Sequence, residues 1–409
     1  MTGNDMNQRV VVVGGGQAGF EVCSKLRSLG MTGPITLIGD ESQPPYQRPP
    51  LSKAYLLGKM ELERLFFRPL QFYQDEKINL RLECACTGID RNAKSIALSD
   101  GSTLGYDTLV LATGASPIRL PDAIGGDLEH VHYVRTLEDA DGMADDFQAG
   151  RRALIIGGGY IGLEAAAVAS GLGMNVTLVE AADRILQRVA APETSEYFRE
   201  LHSRHGVDIR EGVMLDRLKG EGGVLTGVLL SDGTELGVDV AVVGIGIRPN
   251  QALADAAGVD IDNGIKVDTQ CRTSDPDIYA IGDCASFSHG NGRIRLESVG
   301  NAIDQAQAAA AVIAGGDRPF CAKPWFWSDQ YDVKLQIVGL STGYDRIVTR
   351  KTTEDSISFW YFGGDQLLAV DAMNDPRAYM VAKRLIDNGK SADASAVADP
   401  DTDLKTLLN

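Results

Sequence analysis

Apolar residues in this chain fall into short unbroken runs, each closed by a turn, and two of them break into a glycine-rich turn and then an alanine-rich, helix-forming stretch. Val10-Val11-Val12-Val13 is the first run, breaking into Gly14-Gly15-Gly16-Gln17-Ala18-Gly19 and a helix predicted over about 17–29. Ile35-Thr36-Leu37-Ile38 is the next, and Thr108–Leu111 ends in the small residues Ala112-Thr113-Gly114-Ala115. Runs without polar alternation suit strands buried on both faces, as in a parallel sheet with crossover helices. Near Arg151 the plan starts again. Ala153-Leu154-Ile155-Ile156 breaks into Gly157-Gly158-Gly159-Tyr160-Ile161-Gly162, then come Val176–Glu180 and Val240–Val243, which runs into Gly244-Ile245-Gly246. A further buried run, Ile278–Ile281, leads to Gly282-Asp283-Cys284 and a helix over about Asn301–Ala314. Within the first unit, Pro44–Lys53 is too proline-dense for strand or helix. From Pro324 the texture changes to alternating runs, Lys334–Leu340 and Ser356–Phe362, and a helix over about Pro376–Asn388. The polar, acidic tail after Ser391 reads as partly disordered. The pattern predicts an α/β protein with two Rossmann-like dinucleotide-binding domains and a C-terminal α+β domain. The boundaries are 1–115 with 248–323, 116–247, and 324–409.

The chemistry lies in the two glycine turns. Each is a GxGxxG, at Gly14, Gly16 and Gly19 and again at Gly157, Gly159 and Gly162, set between strand and helix. In that context the turn places a pyrophosphate on a helix N-terminus. Two copies imply two dinucleotides on one polypeptide, and so electron transfer between them. An acid ending the second strand of each unit would hold the adenosine ribose. Glu180 takes that place directly in the second unit and favours NADH over NADPH, with Arg184 nearby as the contrary sign. In the first unit the aligned residue is Gly39, so the acid is displaced by one to Asp40, with Glu41 behind it.

Charge narrows the partners. The 409 residues carry 39 basic and 56 acidic side chains, a net −17, which argues against nucleic acid or an anionic membrane. No stretch reaches the roughly 20 apolar residues of a membrane span, and the N-terminus lacks a secretory pattern, so the reading is cytoplasmic. None of the six cysteines, Cys23, Cys84, Cys86, Cys271, Cys284 and Cys321, forms a CxxC, and free buried thiols are expected. That removes a dithiol route for electrons. The five histidines show no metal spacing, and no metal site is expected.

Together the two turns, Leu111-Ala112-Thr113-Gly114-Ala115, Ile278-Tyr279-Ala280-Ile281-Gly282-Asp283-Cys284-Ala285, Pro45–Leu56 and Pro324–Tyr331 carry a family likeness. The chain resembles the pyridine-nucleotide flavoprotein oxidoreductases, with a glutathione-reductase-like fold. Within them it is similar to the FAD-dependent NADH:ferredoxin reductases that serve bacterial cytochrome P450s and aromatic-ring dioxygenases. The resemblance implies FAD on the first turn and NADH on the second, where Ile161 and Gly246 join the glycines and Glu180. It implies that Ala18, Asp40, Lys53, Cys86, Arg135, Val299 and Trp327 line the FAD site, Cys86 through its backbone, and that Asp283 bonds a ribityl hydroxyl. Lys53 would stabilise negative charge on reduced flavin with Glu164 as its partner, and Tyr160 would cover the flavin until nicotinamide displaces it. Without the resemblance Lys53 reads as a surface lysine and Tyr160 as a packing ring; Trp327 is equally read as domain-interface packing. The implied activity takes hydride from NADH onto FAD and passes electrons singly to a [2Fe–2S] ferredoxin, as a monomer or weak dimer. Arg68, Arg293 and Arg295 are candidate docking cations. A rubredoxin reductase, a nitrite or disulfide reductase, and an NADH-sensing flavoprotein of the apoptosis-inducing-factor type stay open.

Overall fold

The computed structural model describes residues 6–408; residues 1–5, on which much of the N-terminal reading rests, lie outside them. The chain gathers into two compact units. The first comprises Met1–Gln47, Glu61–Ser116 and Arg248–Pro324. Its centre is a parallel sheet in the order Ile278–Ala280, Thr108–Leu111, Val10–Val13, Ile35–Ile38, Ile78–Arg81. The register is regular, with Val10 opposite both Ile35 and Thr108. Every residue of Val10–Val13 and Ile35–Ile38 is buried, as the unbroken apolar runs require. Helices Gln17–Ser28 and Val299–Ile313 share one core with this sheet, through Ala18, Val22, Cys23, Ala302, Ala306 and Ala309. Small side chains let the two helix backbones come close. A second core, with Cys84, Cys86, Ile96, Leu98, Val259 and Phe287, includes Val11, Val13, Leu109 and Leu111 of the sheet.

The second unit comprises Arg48–Met60, Pro117–Ile247 and Trp325–Asn409. It repeats the parallel sheet, in the order Asp208–Glu211, Asn175–Glu180, Arg152–Ile156, Val240–Val243, Val131–His132. Helix Tyr160–Gly171 follows the central strand and is almost apolar throughout, because it is buried on more than one side. The C-terminal residues form a five-stranded antiparallel sheet, Trp325–Gln330, Val333–Gly339, Gln366–Met373, Ile357–Gly363, Arg346–Lys351. Leu335, Phe359, Tyr361 and Met373 of that sheet share one core with Leu163, Ala166 and Phe198. The proline-dense stretch takes a single 3-10 turn, Pro49–Ser52.

The tail corrects the expectation of disorder. After helix Pro376–Asp387 it forms Ala394–Ala398 and the turn Leu404–Leu408, with Val397 and Leu404 buried. The buried Arg350 guanidinium donates to the carbonyls of Val397, Asp399, Pro400 and Thr402. One cation thereby satisfies four backbone acceptors that a polar composition does not reveal.

Candidate functional site

The glycine turns are built alike. Gly14 has φ +118°, and a Cβ there would lie 2.2 Å from the Ala112 carbonyl oxygen. Gly157 has φ +106°, and its Cβ would lie 2.4 Å from the Gly244 carbonyl oxygen. A side chain at Gly19 or Gly162 would strike the carbonyl of the first glycine in its own turn, at 1.9 and 2.0 Å. These four positions therefore require glycine for space, and two of them also for dihedral angle. Gly16 and Gly159 differ: no atom lies within 4 Å of an added Cβ. Each caps a helix, Gln17–Ser28 or Tyr160–Gly171, with no side-chain hydrogen bond. Open space thus faces helix N–H groups that lack a side-chain partner and carry partial positive charge. That cradle fits a pyrophosphate in both units, as FAD and NAD(H) each require.

In the first unit the remaining residues gather beside the turn. The Gly282 N–H donates to buried Gln305 Oε1 at 2.7 Å, and a Cβ on Gly282 would lie 3.1 Å from that of Ala18. Half-buried Asp283 follows at once, in the turn Gly282–Cys284, and its carbonyl accepts from Arg295. Val299 opens the helix that carries Gln305, capped by Ser298. Asp40 is exposed and its side chain bonds no other described residue, whereas Glu41 accepts from the Tyr46 hydroxyl. The Cys84 N–H donates to the Gly39 carbonyl, which brings the segment of Cys86 alongside Asp40. Lys53, Arg135 and Trp327 belong to the second unit.

There, Glu180 closes back on its own turn. Oε2 accepts from the Gly158 N–H at 2.6 Å and Oε1 from the Ala182 N–H at 2.8 Å, leaving further lone pairs for a ribose. Arg184 donates instead to Ser195 Oγ, on helix Pro192–Arg204, and to the Ala190 carbonyl before it, so its charge is committed there. Ile161 is exposed at the helix start, and Gly246 has φ +117°. Arg135 stands before the capping box of Leu137–Ala144, its carbonyl accepting from Arg48.

Lys53 is no surface lysine. Its Nζ donates to Glu164 Oε2 at 2.6 Å, with side-chain exposures of 17% and 4%. Ser52 Oγ donates to the same oxygen and Ser328 Oγ to Oε1, at 2.9 and 2.7 Å. Burial pushes the Glu164 carboxyl up, and Lys53, Ser328 and Ser52 oppose that shift. Two periodicities meet here. Tyr160 and Glu164, four apart on the helix, face Phe326 and Ser328, two apart on the strand. The Tyr160 ring lies 4.7 Å from that of Phe326, with its hydroxyl buried and unpartnered. Trp327 lies on the alternate face, stacked on Trp325.

The polar chain continues past the residues expected from the sequence. Gln330 Nε2 donates to Ser328 Oγ, and Gln330 Oε1 lies 2.8 Å from His202 Nε2. That geometry places the imidazole proton on Nε2, so Nδ1 accepts from the Tyr331 hydroxyl. His202 is fully buried, which lowers it to about 4 and keeps it neutral. Ser52, Ser328, Gln330 and His202 were invisible as a group because they lie far apart in sequence. Nor did a local pattern mark them, since Ser328 and Gln330 flank the charged Asp329 and show no alternation of polar and apolar residues.

The profile of the pyridine nucleotide-disulphide oxidoreductases matches residues 8–311, and that of the reductase C-terminal domain matches 325–408. The chain belongs to the pyridine nucleotide-disulphide oxidoreductases. It is 43% identical to putidaredoxin reductase CamA of Pseudomonas putida, covering 98% of this chain and 97% of the relative. Rhodocoxin reductase of Rhodococcus erythropolis is 42% identical, with 98% and 94% covered. Among solved structures, the covalent putidaredoxin reductase–putidaredoxin complex matches with TM-score 0.95 and 43% identity, covering 99% of both chains. Pyridine nucleotide-disulphide oxidoreductases of this kind use FAD and NAD(H). In this member all six cysteines are free, and all but Cys321 are buried. Burial pushes the Cys23 thiol up to about 12 and also raises Cys86, Cys271 and Cys284. Of the arginines expected to dock a partner, Arg293 and Arg295 are committed inside the fold, to Val267 and Ser286 and to Asp283 and Glu297. Arg68 stays exposed. Among the described residues no helix is long and apolar enough to cross a membrane.

Proposed function

We propose that the chain is an NADH-dependent, FAD-containing ferredoxin reductase, taking hydride from NADH and passing electrons singly to a [2Fe–2S] ferredoxin. That ferredoxin would feed a cytochrome P450 or ring-hydroxylating dioxygenase. The observation that carries the reading is a pair of matching dinucleotide cradles in a chain whose cysteines form no dithiol. Bound FAD supplies the change from a two-electron donor to a one-electron acceptor. The chain supplies binding, charge and orientation.

In this reading residues 1–115 and 248–323 form the FAD-binding domain, 116–247 the NAD-binding domain and 324–409 the C-terminal domain. Gly14, Gly16 and Gly19 receive the FAD pyrophosphate, Asp40 its adenosine ribose and Asp283 its ribityl chain, with Ala18, Cys86, Arg135, Val299 and Trp327 lining the site. Gly157, Gly159, Ile161, Gly162 and Gly246 receive NADH, and Glu180 its ribose. The commitment of Arg184 to Ser195 and Ala190 supports NADH over NADPH, since this arginine is then not offered to a 2′-phosphate. Lys53 answers negative charge on the reduced flavin, oriented by Glu164, and the Tyr160 ring is the flavin cover. The partner meets a small, weak docking face, in keeping with redox encounters, and Arg68 is the arginine exposed for it. The protein acts in the cytoplasm as a monomer or weak dimer.

Anaerobic stopped-flow absorbance at the flavin band tests the assignment. Fast bleaching by NADH but not NADPH, then fast reoxidation by a bacterial [2Fe–2S] ferredoxin and slow reoxidation by rubredoxin, is expected. A persistent long-wavelength band with no preferred acceptor would point to an NADH sensor. Protein without bound flavin would remove the assignment.

A further inference from the structure

We propose that His130, His132 and Asp146 form a binding site for a zinc-class divalent cation, separate from the dinucleotide chemistry. His132 ends the two-residue edge strand Val131–His132, and His130 precedes it in a turn at φ +69°, so it is this turn that brings the two rings to one carboxylate. Asp146, buried just beyond helix Leu137–Ala144, meets them there. His130 Nδ1 lies 2.8 Å and His132 Nε2 2.6 Å from the same oxygen, Asp146 Oδ2. All three ligand atoms lie within 4.8 Å of one another. A tetrahedral zinc about 2.0 Å from each ligand sets ligand atoms about 3.3 Å apart. Each histidine–carboxylate pair would open by about half an ångström, and the two imidazole nitrogens, no more than 4.8 Å apart, would close by at most about 1.5 Å.

The carboxylate is also held as a metal ligand is held. Arg151 Nη1 donates to Asp146 Oδ1 at 2.7 Å, which fixes the plane of the carboxylate and leaves Oδ2 to the imidazoles. Such outer partners orient ligands and set affinity. His130 and His132 side chains are 32% and 16% exposed, so solvent reaches the cluster and can fill a fourth position. Two imidazoles and one carboxylate suit zinc over magnesium or calcium. The strand pairs with Val240–Val243, His132 opposite Val242, and the site would staple this sheet edge to the helix end and to Arg151. The sequence hid the site because its third ligand lies 14 residues beyond the second.

Equilibrium dialysis tests the site. Flavin-loaded protein stripped with EDTA is dialysed against ZnCl2, and bound metal is measured by atomic absorption. One equivalent per chain is expected, weakened at least about tenfold in His132→Ala and in His130→Gln. Cys321→Ser, which removes the exposed thiol, should bind as the parent does. Zinc K-edge absorption of the parent should show scattering from two imidazoles. Zinc should raise the melting temperature of the parent by several degrees and leave both histidine variants unmoved. No saturable equivalent overturns the proposal. So does parent-like affinity in a His132→Ala protein that retains its flavin spectrum, or a metal environment with fewer than two imidazoles.

Discussion

At Glu164 one buried carboxylate takes donors from two distant stretches of chain: Ser52 with Lys53, and Ser328. Removing its charge leaves the Lys53 ammonium with little exposure and no counter-ion. Glu164→Gln is therefore expected to cost about 3–5 kcal/mol, read as a lowered urea midpoint at pH 7; an unchanged midpoint would mean that water solvates Lys53 instead. His202 gives a second test with a defined sign. The unfolded ring takes a proton near 6.5 and the folded one only near 4. Its contribution is therefore present above pH 6.5 and is lost as the pH falls toward 4, by about 3 kcal/mol. Asp371, pushed up to about 6 by burial, acts in the opposite sense, so the comparison must be with His202→Gln. The stability gap between parent and variant should shrink across that range in pH-dependent urea titrations. Little of this network was legible. Lys53 and Glu164 were named only through a family likeness, since a lysine after a proline turn looks solvated. Their partners depend on a strand and a helix meeting in space.

Strands and turns were far more legible, because their signals are local. An unbroken Val10–Val13 can hardly serve outside a two-sided core, and a glycine whose added Cβ would lie 2.2 Å from a carbonyl oxygen admits no substitute. The equivalence of the two turns makes them separable by experiment. Gly14→Ala is expected to yield protein with little bound flavin. Gly157→Ala should keep its flavin yet lose most of its reduction by NADH, read as a slower bleaching rate at fixed NADH. Loss of flavin in both, or in neither, would contradict the assignment of one dinucleotide to each turn. The C-terminal tail was misread for a physical reason: its composition is polar, but its carbonyls are gathered by the distant Arg350. Arg350→Met should leave those acceptors unpaired and expose the segment after Ser391 to limited proteolysis, with a lowered melting temperature.

For the molecule as a whole, the thiols distinguish direct electron hand-over from a dithiol relay. With only Cys321 exposed, a thiol reagent should modify one cysteine of the native protein and six after denaturation. Alkylation of the native protein should leave the rate of flavin reduction unchanged; a loss would reveal a thiol on the electron path. The arrangement at Glu164 also bears on how the protein comes into being. Ser328 lies 164 residues beyond Glu164, in the last quarter of the chain. During synthesis from the N-terminus the helix that bears this carboxylate is complete long before Trp325–Gln330 leaves the ribosome. Until then Glu164 keeps its lysine but lacks one donor and the strand that shields it. The Lys53–Glu164 cluster is thus finished late, and a nascent chain cannot hold Lys53 in its final setting before Trp325–Gln330 has paired.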